Sequence, residues 1–249
     1  MSKKVLIVGA SSGLGRRLAE LYASEGWKVG ALARRENLLT ELQQLFPGKI
    51  FIKKADIADE NISQFIKELI ETLNGIDIII VAASIIRFNN DLQSEPEKET
   101  IAINVKGYTN VLNTAWQYFK EKGIGHIVGI TSIAAARGNK IAPAYHASKS
   151  FQSIYLESLR IKAKHEKNGV VVTELTPGYI NTEMGKGERM FWVASLDKAA
   201  RQAKKAIEKK KSRVFITKRW WFIYHIQRFL PIFIYDSVVN GSWKLKRKH

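Results

Sequence analysis

Cysteine is absent from the 249 residues. Disulfides and thiolate chemistry are thereby excluded, and a reducing cytoplasm is compatible with the chain. No run of 18 or more apolar residues occurs, so no segment reads as a membrane-spanning helix. The opening MSKKVLIVGASSGLGRR holds an apolar run too short for the core of a signal sequence, and it passes straight into a glycine-rich turn. His225 and His249 have no ligand partners at metal spacing, so no metal site is expected. No linker rich in proline or serine divides the chain. Acidic residues are scarce, 23 against 40 Lys and Arg, for a net charge of +17. The shortage is local. Asp197 to His249 holds 15 Lys/Arg and 3 Asp/Glu, a net of +12, while the preceding residues hold 25 and 20, a net of only +5. The basicity belongs to the C-terminal fifth and points to something acidic there.

What the chain does contain is a repeated alternation of short apolar runs and helical patterns, long enough for one large α/β domain. Residues 4–9, KVLIVG, are continuously apolar, as expected of a strand buried on both faces of a parallel sheet. GASSGLG follows, with Gly9, Gly13 and Gly15, and then Leu14, Leu18, Leu21 and Tyr22 recur at helical spacing. A strand, a glycine-rich turn and a helix make a phosphate site. The helix N-terminus presents N–H groups and a positive dipole end, and glycines admit a pyrophosphate to the backbone.

Residues 27–33 read as the second strand. Dinucleotide sites often place an acid at its end to bind ribose hydroxyls. Here Ala33 is followed by Arg34 and Arg35. A guanidinium suits a 2′-phosphate, so NADP(H) is expected over NAD(H). Strand 49–53 leads to Asp56-Ile57, where Asp56 either meets an adenine amine or serves a turn or helix cap. Strand 77–82 opens into Ala82, Ala83 and Ser84, small enough to let a cofactor pass closely. Residues 97–122 carry the pattern of one long helix. Asn104 falls within it, where propensity disfavours Asn and burial demands partners.

Strand 126–131 delivers Ser132. Thirteen residues on, Tyr145 and Lys149 lie four apart on helix 145–167 and therefore on one face. A neighbouring ammonium favours the phenolate and lowers a tyrosine below its usual pKa of about 10. Strand 170–175 ends in Thr176-Pro177-Gly178. The glycine turn, Arg34, Asp56, Ala82–Ser84, Ser132 and Pro177-Gly178 all follow strand ends, where sheets of this kind bind ligands. The expected fold is α/β, a doubly wound parallel sheet with helices on both faces.

GASSGLG at 9–15, Asn104 in INVKG, Ser132 in ITS, YHASK at 145–149 and PGYINT at 177–182 together resemble the short-chain dehydrogenases/reductases, over roughly residues 4–216. The resemblance implies a Rossmann-like single domain with a catalytic tetrad of Asn104, Ser132, Tyr145 and Lys149. The cofactor site it implies comprises Gly9, Ser11, Ser12, Gly13, Leu14, Gly15, Arg34, Arg35, Asp56, Ile57, Ala82, Ala83, Tyr145, Lys149, Pro177, Gly178, Ile180 and Thr182. Thr182 would meet the nicotinamide carboxamide, and Lys149 the nicotinamide ribose. Asn104 would retain a water joining Lys149 to solvent. Family members pair through the helices corresponding to 97–122 and 145–167, so a homodimer or homotetramer is expected. Two departures stand out. Val81-Ala82-Ala83-Ser84 replaces the family's Asn-Asn-Ala-Gly, and residues 217–249 replace the short closure usual in acyl-carrier-protein ketoreductases.

The expected activity is NADP(H)-dependent interconversion of a ketone or aldehyde and an alcohol by hydride transfer. Tyr145 acts as general acid, and Ser132 stabilises the oxygen as it gains charge. The alternative is a 3-oxoacyl-thioester (acyl-carrier-protein) reductase, whose acidic carrier would suit a basic entrance. A non-catalytic NADP-binding sensor or scaffold is a third reading, which the intact tetrad disfavours. Met184, Met190, Phe191 and Trp192, in the segment 183–195, suggest an apolar small-molecule substrate.

Residues 1–216 read as the dinucleotide-binding and catalytic domain, and 217–249 as an aromatic and basic extension of it. Trp220 to Tyr235 is apolar but interrupted by His225, Gln227, Arg228 and Pro231. Such a segment suits peripheral contact of 218–249 with an anionic membrane surface. It suits equally a cover over the cleft or a dimer interface. Its apolar residues are too dense for nucleic acid, which is not expected. The expected location is the cytoplasm, at the membrane surface if the tail binds there.

Overall fold

The computed structural model describes residues 3–182 and 191–239, so Met184, Met190 and the last basic residues of the tail lie outside the described residues. In chain order the elements are β1 (Lys4–Val8), α1 (Gly13–Ser24), β2 (Lys28–Ala33), α2 (Glu36–Leu45), β3 (Ile50–Lys54), α3 (Ile62–Thr72), β4 (Ile78–Val81), α4 (Ser94–Ile101), α5 (Tyr108–Lys122), β5 (Gly125–Ile130), α6 (Pro143–Glu166), β6 (Val170–Pro177), α7 (Leu196–Glu208), β7 (Arg213–Ile216), α8 (Trp220–Phe229) and α9 (Ile232–Val239). The strands form one parallel sheet in the order β3-β2-β1-β4-β5-β6-β7. The chain therefore winds outward from β1 in one direction, returns, and winds outward in the other. The reversal falls between β1 and β4, where sheets of this type leave a crevice beyond the strand ends.

Alternate side chains of each strand enter opposite layers. Leu6, Val8, Ile79 and Val81 pack with Ile66 of α3, Val111 and Phe119 of α5 and Leu156 of α6. Val5, Ile7, Ile78 and Ile80 pack with Leu18 and Tyr22 of α1, Leu39 of α2 and Ala203 of α7. Burial on both faces is why the central strands β1 and β4 read as unbroken apolar runs. The expected Rossmann-like doubly wound sheet is present.

The expected single helix over 97–122 is not. A π-helical turn, Ala102–Gly107, separates α4 from α5 and contains Asn104. Gly107 in this turn lies against the backbone after β3, so close that a Cβ would sit 2.3 Å from the Ile57 carbonyl oxygen. Periodicity cannot show one extra residue in a helical turn, because the apolar positions on either side still match a helix.

The tail folds back on the domain. A Cβ on Gly178 would lie 2.1 Å from Trp220 Nε1, so the indole rests directly on the backbone after β6. Trp220 and Tyr224 form a small buried cluster with Ala135 and Phe215. Farther along, Tyr235 Oη donates to the Gly138 carbonyl at 2.8 Å, and Arg137 Nη2 donates to the Leu230 carbonyl at 2.7 Å. Among the described residues no helix is long and apolar enough to cross a membrane.

Buried His126 gives the fold an acid sensitivity. The Thr173 hydroxyl donates to the Lys211 carbonyl at 2.6 Å and lies 2.8 Å from His126 Nε2, so the imidazole donates to Thr173 in its neutral form. Burial, reinforced by Lys210, holds His126 down from 6.5 to about 4. The unfolded chain therefore takes up a proton between those values while the folded chain does not, and stability falls as pH falls through that window. Chemical denaturation from pH 7 to pH 4 is expected to show a loss of about 3 kcal/mol from this group. His126→Asn should flatten the profile, even if the variant is less stable at pH 7.

Candidate functional site

The turns leaving the strands at the carboxyl edge wall a cleft of about 880 Å³. At one end is the β1–α1 turn. Gly9 has φ +94°, and a Cβ there would lie 2.4 Å from the Ala83 amide nitrogen. A Cβ on Gly15 would lie 2.2 Å from the Gly9 carbonyl oxygen. Side chains at these two positions would fill the cradle that the backbone leaves. The start of α1 faces the cleft with no acid in its first turn, and its cap residue Ser12 makes no side-chain capping bond. An uncapped helix N-terminus beside bare backbone fits the phosphates of a dinucleotide.

Both arginines after β2 reach this end. Arg35 donates from Nε and Nη2 to Ser11 Oγ at 3.2 and 3.1 Å. Arg34 Nη1 lies 3.4 Å from Asp56 Oδ2. Asp56 Oδ1 also accepts from the Ala58 amide at 2.9 Å, so Asp56 shapes its own turn as well as lining the cleft. Ser12, Gly13, Leu14, Ile57, Ala82, Ala83, Pro177, Gly178, Ile180 and Thr182 line the same cleft. Thr182 faces the glycine turn, its Cγ2 3.7 Å from where a Cβ on Gly13 would stand.

At the other end stand Ser132, Tyr145 and Lys149. Ser132 caps the short 3₁₀ turn Ile133–Ala136 by accepting from the Ala134 amide at 3.1 Å, which fixes its hydroxyl beside the cleft. That hydroxyl hydrogen-bonds Tyr145. Tyr145 sits in the first turn of α6, which opens with Pro143, a residue pre-set for a helix start. Lys149 is one turn further, its Nζ 5.8 Å from the Tyr145 ring centre.

The electrostatics differ from the sequence expectation. Lys149 is expected to lower Tyr145. Instead burial pushes the Tyr145 phenol up, the Ser132 hydrogen bond draws it partly back, and Tyr179 adds to the rise. Lys149 itself is buried and falls from 10.5 to about 7 for that reason. A poorly solvated ammonium at the edge of deprotonation is a weak source of positive potential for its neighbour.

Asn104 lies behind the cleft wall, fully buried, and all its polar atoms are paired. Oδ1 accepts from Ser84 Oγ at 3.0 Å and from the Ile85 amide at 2.9 Å. Nδ2 donates to the Ile85 carbonyl at 2.8 Å and to Ser148 Oγ at 3.1 Å. Its own carbonyl accepts from Gln152 Nε2 at 2.8 Å, and Gln152 Oε1 accepts from Lys149 Nζ at 2.9 Å. A buried glutamine side chain thus bridges the Asn104 carbonyl and the Lys149 ammonium. Sequence reasoning missed Gln152. Its signal was position alone, three residues after Lys149 on the same helix face.

Phe191 and Trp192 do not line the cleft. They are half exposed and pack on Trp220, their ring centroids 5.2 and 5.9 Å from its own. The tail supplies wall residues that sequence reasoning did not name, Gln227 and Tyr235, together with Arg137 beneath them.

The short chain dehydrogenase family profile matches residues 3–192. An uncharacterized oxidoreductase of Mycobacterium tuberculosis is 34% identical over 230 residues, 88% of this chain and 89% of that protein. An uncharacterized oxidoreductase of Myxococcus xanthus is 33% identical over 192 residues, 73% of this chain and 74% of that one. Among solved structures, a short-chain dehydrogenase from Streptomyces avermitilis superposes with a TM-score of 0.80 at 20% identity, covering 99% of this chain and 98% of its own. A 3-ketoacyl-(acyl-carrier-protein) reductase from Brucella melitensis complexed with NADH superposes with a TM-score of 0.74 at 19% identity, covering 86% and 96%. The chain belongs to the short-chain dehydrogenase family and is an oxidoreductase of that family.

The Gln152 bridge predicts a measurable asymmetry. Gln152→Leu removes the nearer of two acceptors of Lys149 Nζ, leaving the Ile130 carbonyl at 3.3 Å, with Tyr145 and Ser132 in place. Its kcat is expected to fall about tenfold, with little change in cofactor affinity. The fall in activity as pH rises should also set in at lower pH than in the wild type, because a buried ammonium with fewer acceptors deprotonates more readily. Gln152→Glu should move that limb the other way. Equal pH profiles in all three proteins would reduce Gln152 to a packing residue.

Proposed function

We propose that the protein is an NADP(H)-dependent oxidoreductase that interconverts a ketone or aldehyde and an alcohol, with an apolar substrate. The observation that carries this reading is one cleft holding a bare-backbone helix start flanked by Arg34 and Arg35 at one end and Ser132, Tyr145 and Lys149 at the other. No carboxylate stands at the end of β2 to repel a 2′-phosphate; two guanidiniums do.

The pyrophosphate would lie on Gly9, Gly13 and Gly15 at the start of α1, the 2′-phosphate against Arg34 and Arg35, and the nicotinamide toward Thr182, Pro177 and Gly178. When bound, the nicotinamide supplies or accepts the hydride at the substrate carbon. Tyr145 gives its proton to the carbonyl oxygen as charge develops there, and takes it back in the reverse direction. The raised pKa of Tyr145 keeps that proton in place at neutral pH. Ser132 donates a hydrogen bond to the same oxygen and stabilises its charge. Lys149, Gln152 and the Asn104 carbonyl form the polar chain behind Tyr145. The net basic C-terminal fifth leaves a 3-oxoacyl thioester on an acidic carrier as a substrate to test beside simple ketones and aldehydes.

A homo-oligomer is part of this reading. Phe151, Ile154 and Ile161 form an exposed apolar stripe on the outer side of α6, and Ile101 is exposed at the end of α4.

Tyr145→Phe is expected to remove nearly all turnover in a screen of ketones, aldehydes and acetoacetyl thioesters while NADPH binding, followed by fluorescence titration, survives. Normal turnover in that variant refutes the assignment. Arg34→Ala combined with Arg35→Ala should weaken NADPH binding about ten- to hundredfold, the value of one or two charge-assisted hydrogen bonds, and leave NADH affinity nearly unchanged. Equal losses for both cofactors would place the phosphate elsewhere.

A further inference from the structure

The inward side of α8 is accounted for by Trp220 and Tyr224, which are buried, and Gln227, which lines the cleft. These recur at i, i+4 and i+7, one face of a helix. The opposite face carries Phe222, Ile226 and Phe229 at the same spacing, exposed at 64, 52 and 79%. α9 continues the surface with Ile232 and Phe233, each 69% exposed, and Val238. Among the described residues nothing covers these side chains, and a helix with apolar residues on both faces gains no stability from the outer set. Scattered exposed apolar residues are ordinary, whereas a contiguous aromatic and aliphatic patch on two successive helices marks an interaction site.

Charge selects the partner. The patch lies in the segment that carries +12, and Lys218 and Arg219 stand exposed at the start of α8. Two copies meeting through this face would bring two such basic segments together, which opposes self-association. An anionic lipid surface instead accepts the large apolar side chains among its acyl chains and pairs with the flanking cations. Helices of 10 and 8 residues lie on such a surface and do not cross it. The helices are also fixed to the body of the enzyme. Trp220 rests on Gly178, and Arg137 and Gly138 hold Leu230 and Tyr235. A docked patch therefore sets the orientation of the whole domain, with the cleft wall formed by Gln227 and Tyr235 next to the lipid.

We propose that the outward face of α8 and α9 is a docking surface for an anionic lipid membrane. The test is co-sedimentation of the full chain with vesicles of phosphatidylglycerol and phosphatidylcholine, against phosphatidylcholine alone, at low and high salt. Binding is expected on the anionic vesicles, much less on the zwitterionic ones, with a decline as salt rises. Combined Phe222→Ser, Phe229→Ser and Phe233→Ser should weaken binding at least tenfold while NADPH affinity is retained. Tyr145→Phe should bind as the wild type does, so that docking is read separately from catalysis. Because a triple variant can lose its fold, a second measurement uses the wild type. Brominated acyl chains in the anionic vesicles should quench its tryptophan fluorescence, and Trp221→Phe should diminish that quenching, because Trp221 is 48% exposed and its ring packs edge-on against Phe222 of the patch. The proposal is overturned by absence of binding to anionic vesicles, by a folded triple variant that binds undiminished, or by an absence of quenching. It is overturned equally if the three serines instead dissociate an oligomer that ignores vesicles, which would assign the face to a second copy of the chain.

Discussion

The site depends on the burial of one amide side chain. Asn104 joins the loop after β4, through Ser84 and Ile85, to α6, through Ser148 and Gln152. A buried amide left without partners would cost more than its hydrogen bonds contribute, so each partner is held in place by the same requirement. The π-helical turn is the local consequence. It widens the helix where Asn104 must face inward and lets Gly107 settle against the Ile57 carbonyl. Through these contacts the nucleotide end of the cleft and the Tyr145 end form a single unit.

Burial sets the chemistry in a way that proximity alone does not. A tyrosine one helical turn from a lysine suggests a phenol made more acidic. In the structure desolvation acts on both groups in opposite directions, raising Tyr145 and lowering Lys149 to about 7. The two pKa values are drawn apart, so at neutral pH the phenol keeps its proton while the neighbouring ammonium gives its own up readily.

Much of the fold was legible because central parallel strands buried on both faces carry unbroken apolar runs, as in VLIV after Lys4 and IIIVA after Asp77. The nucleotide end was legible because its parts are local: a strand, a turn and a helix in sequence, then two arginines at the next strand end. Tyr145 and Lys149 were legible by their spacing on one helix. What escaped reading is what depends on distant partners. The helix pattern of 97–122 hides the π turn, which serves partners on distant elements: those of Asn104, and residue 57 against Gly107. Gln152 looks like any helical glutamine until Lys149 and the Asn104 carbonyl are placed on either side of it. Phe191 and Trp192, read as substrate residues from their composition, pack instead on an indole that lies 28 residues or more along the chain.

The contact between Trp220 and Gly178 ties the history of the tail to that of the cleft. An indole ring that touches bare backbone leaves room for no side chain beneath it. A lineage that acquired any other residue at 178 would first have had to shrink the one at 220, and a lineage without the aromatic tail would face no such restriction. The two positions should therefore change together among relatives. Possession of glycine at 178 and a large aromatic at 220 would mark those members whose tails fold over the enzyme in this manner.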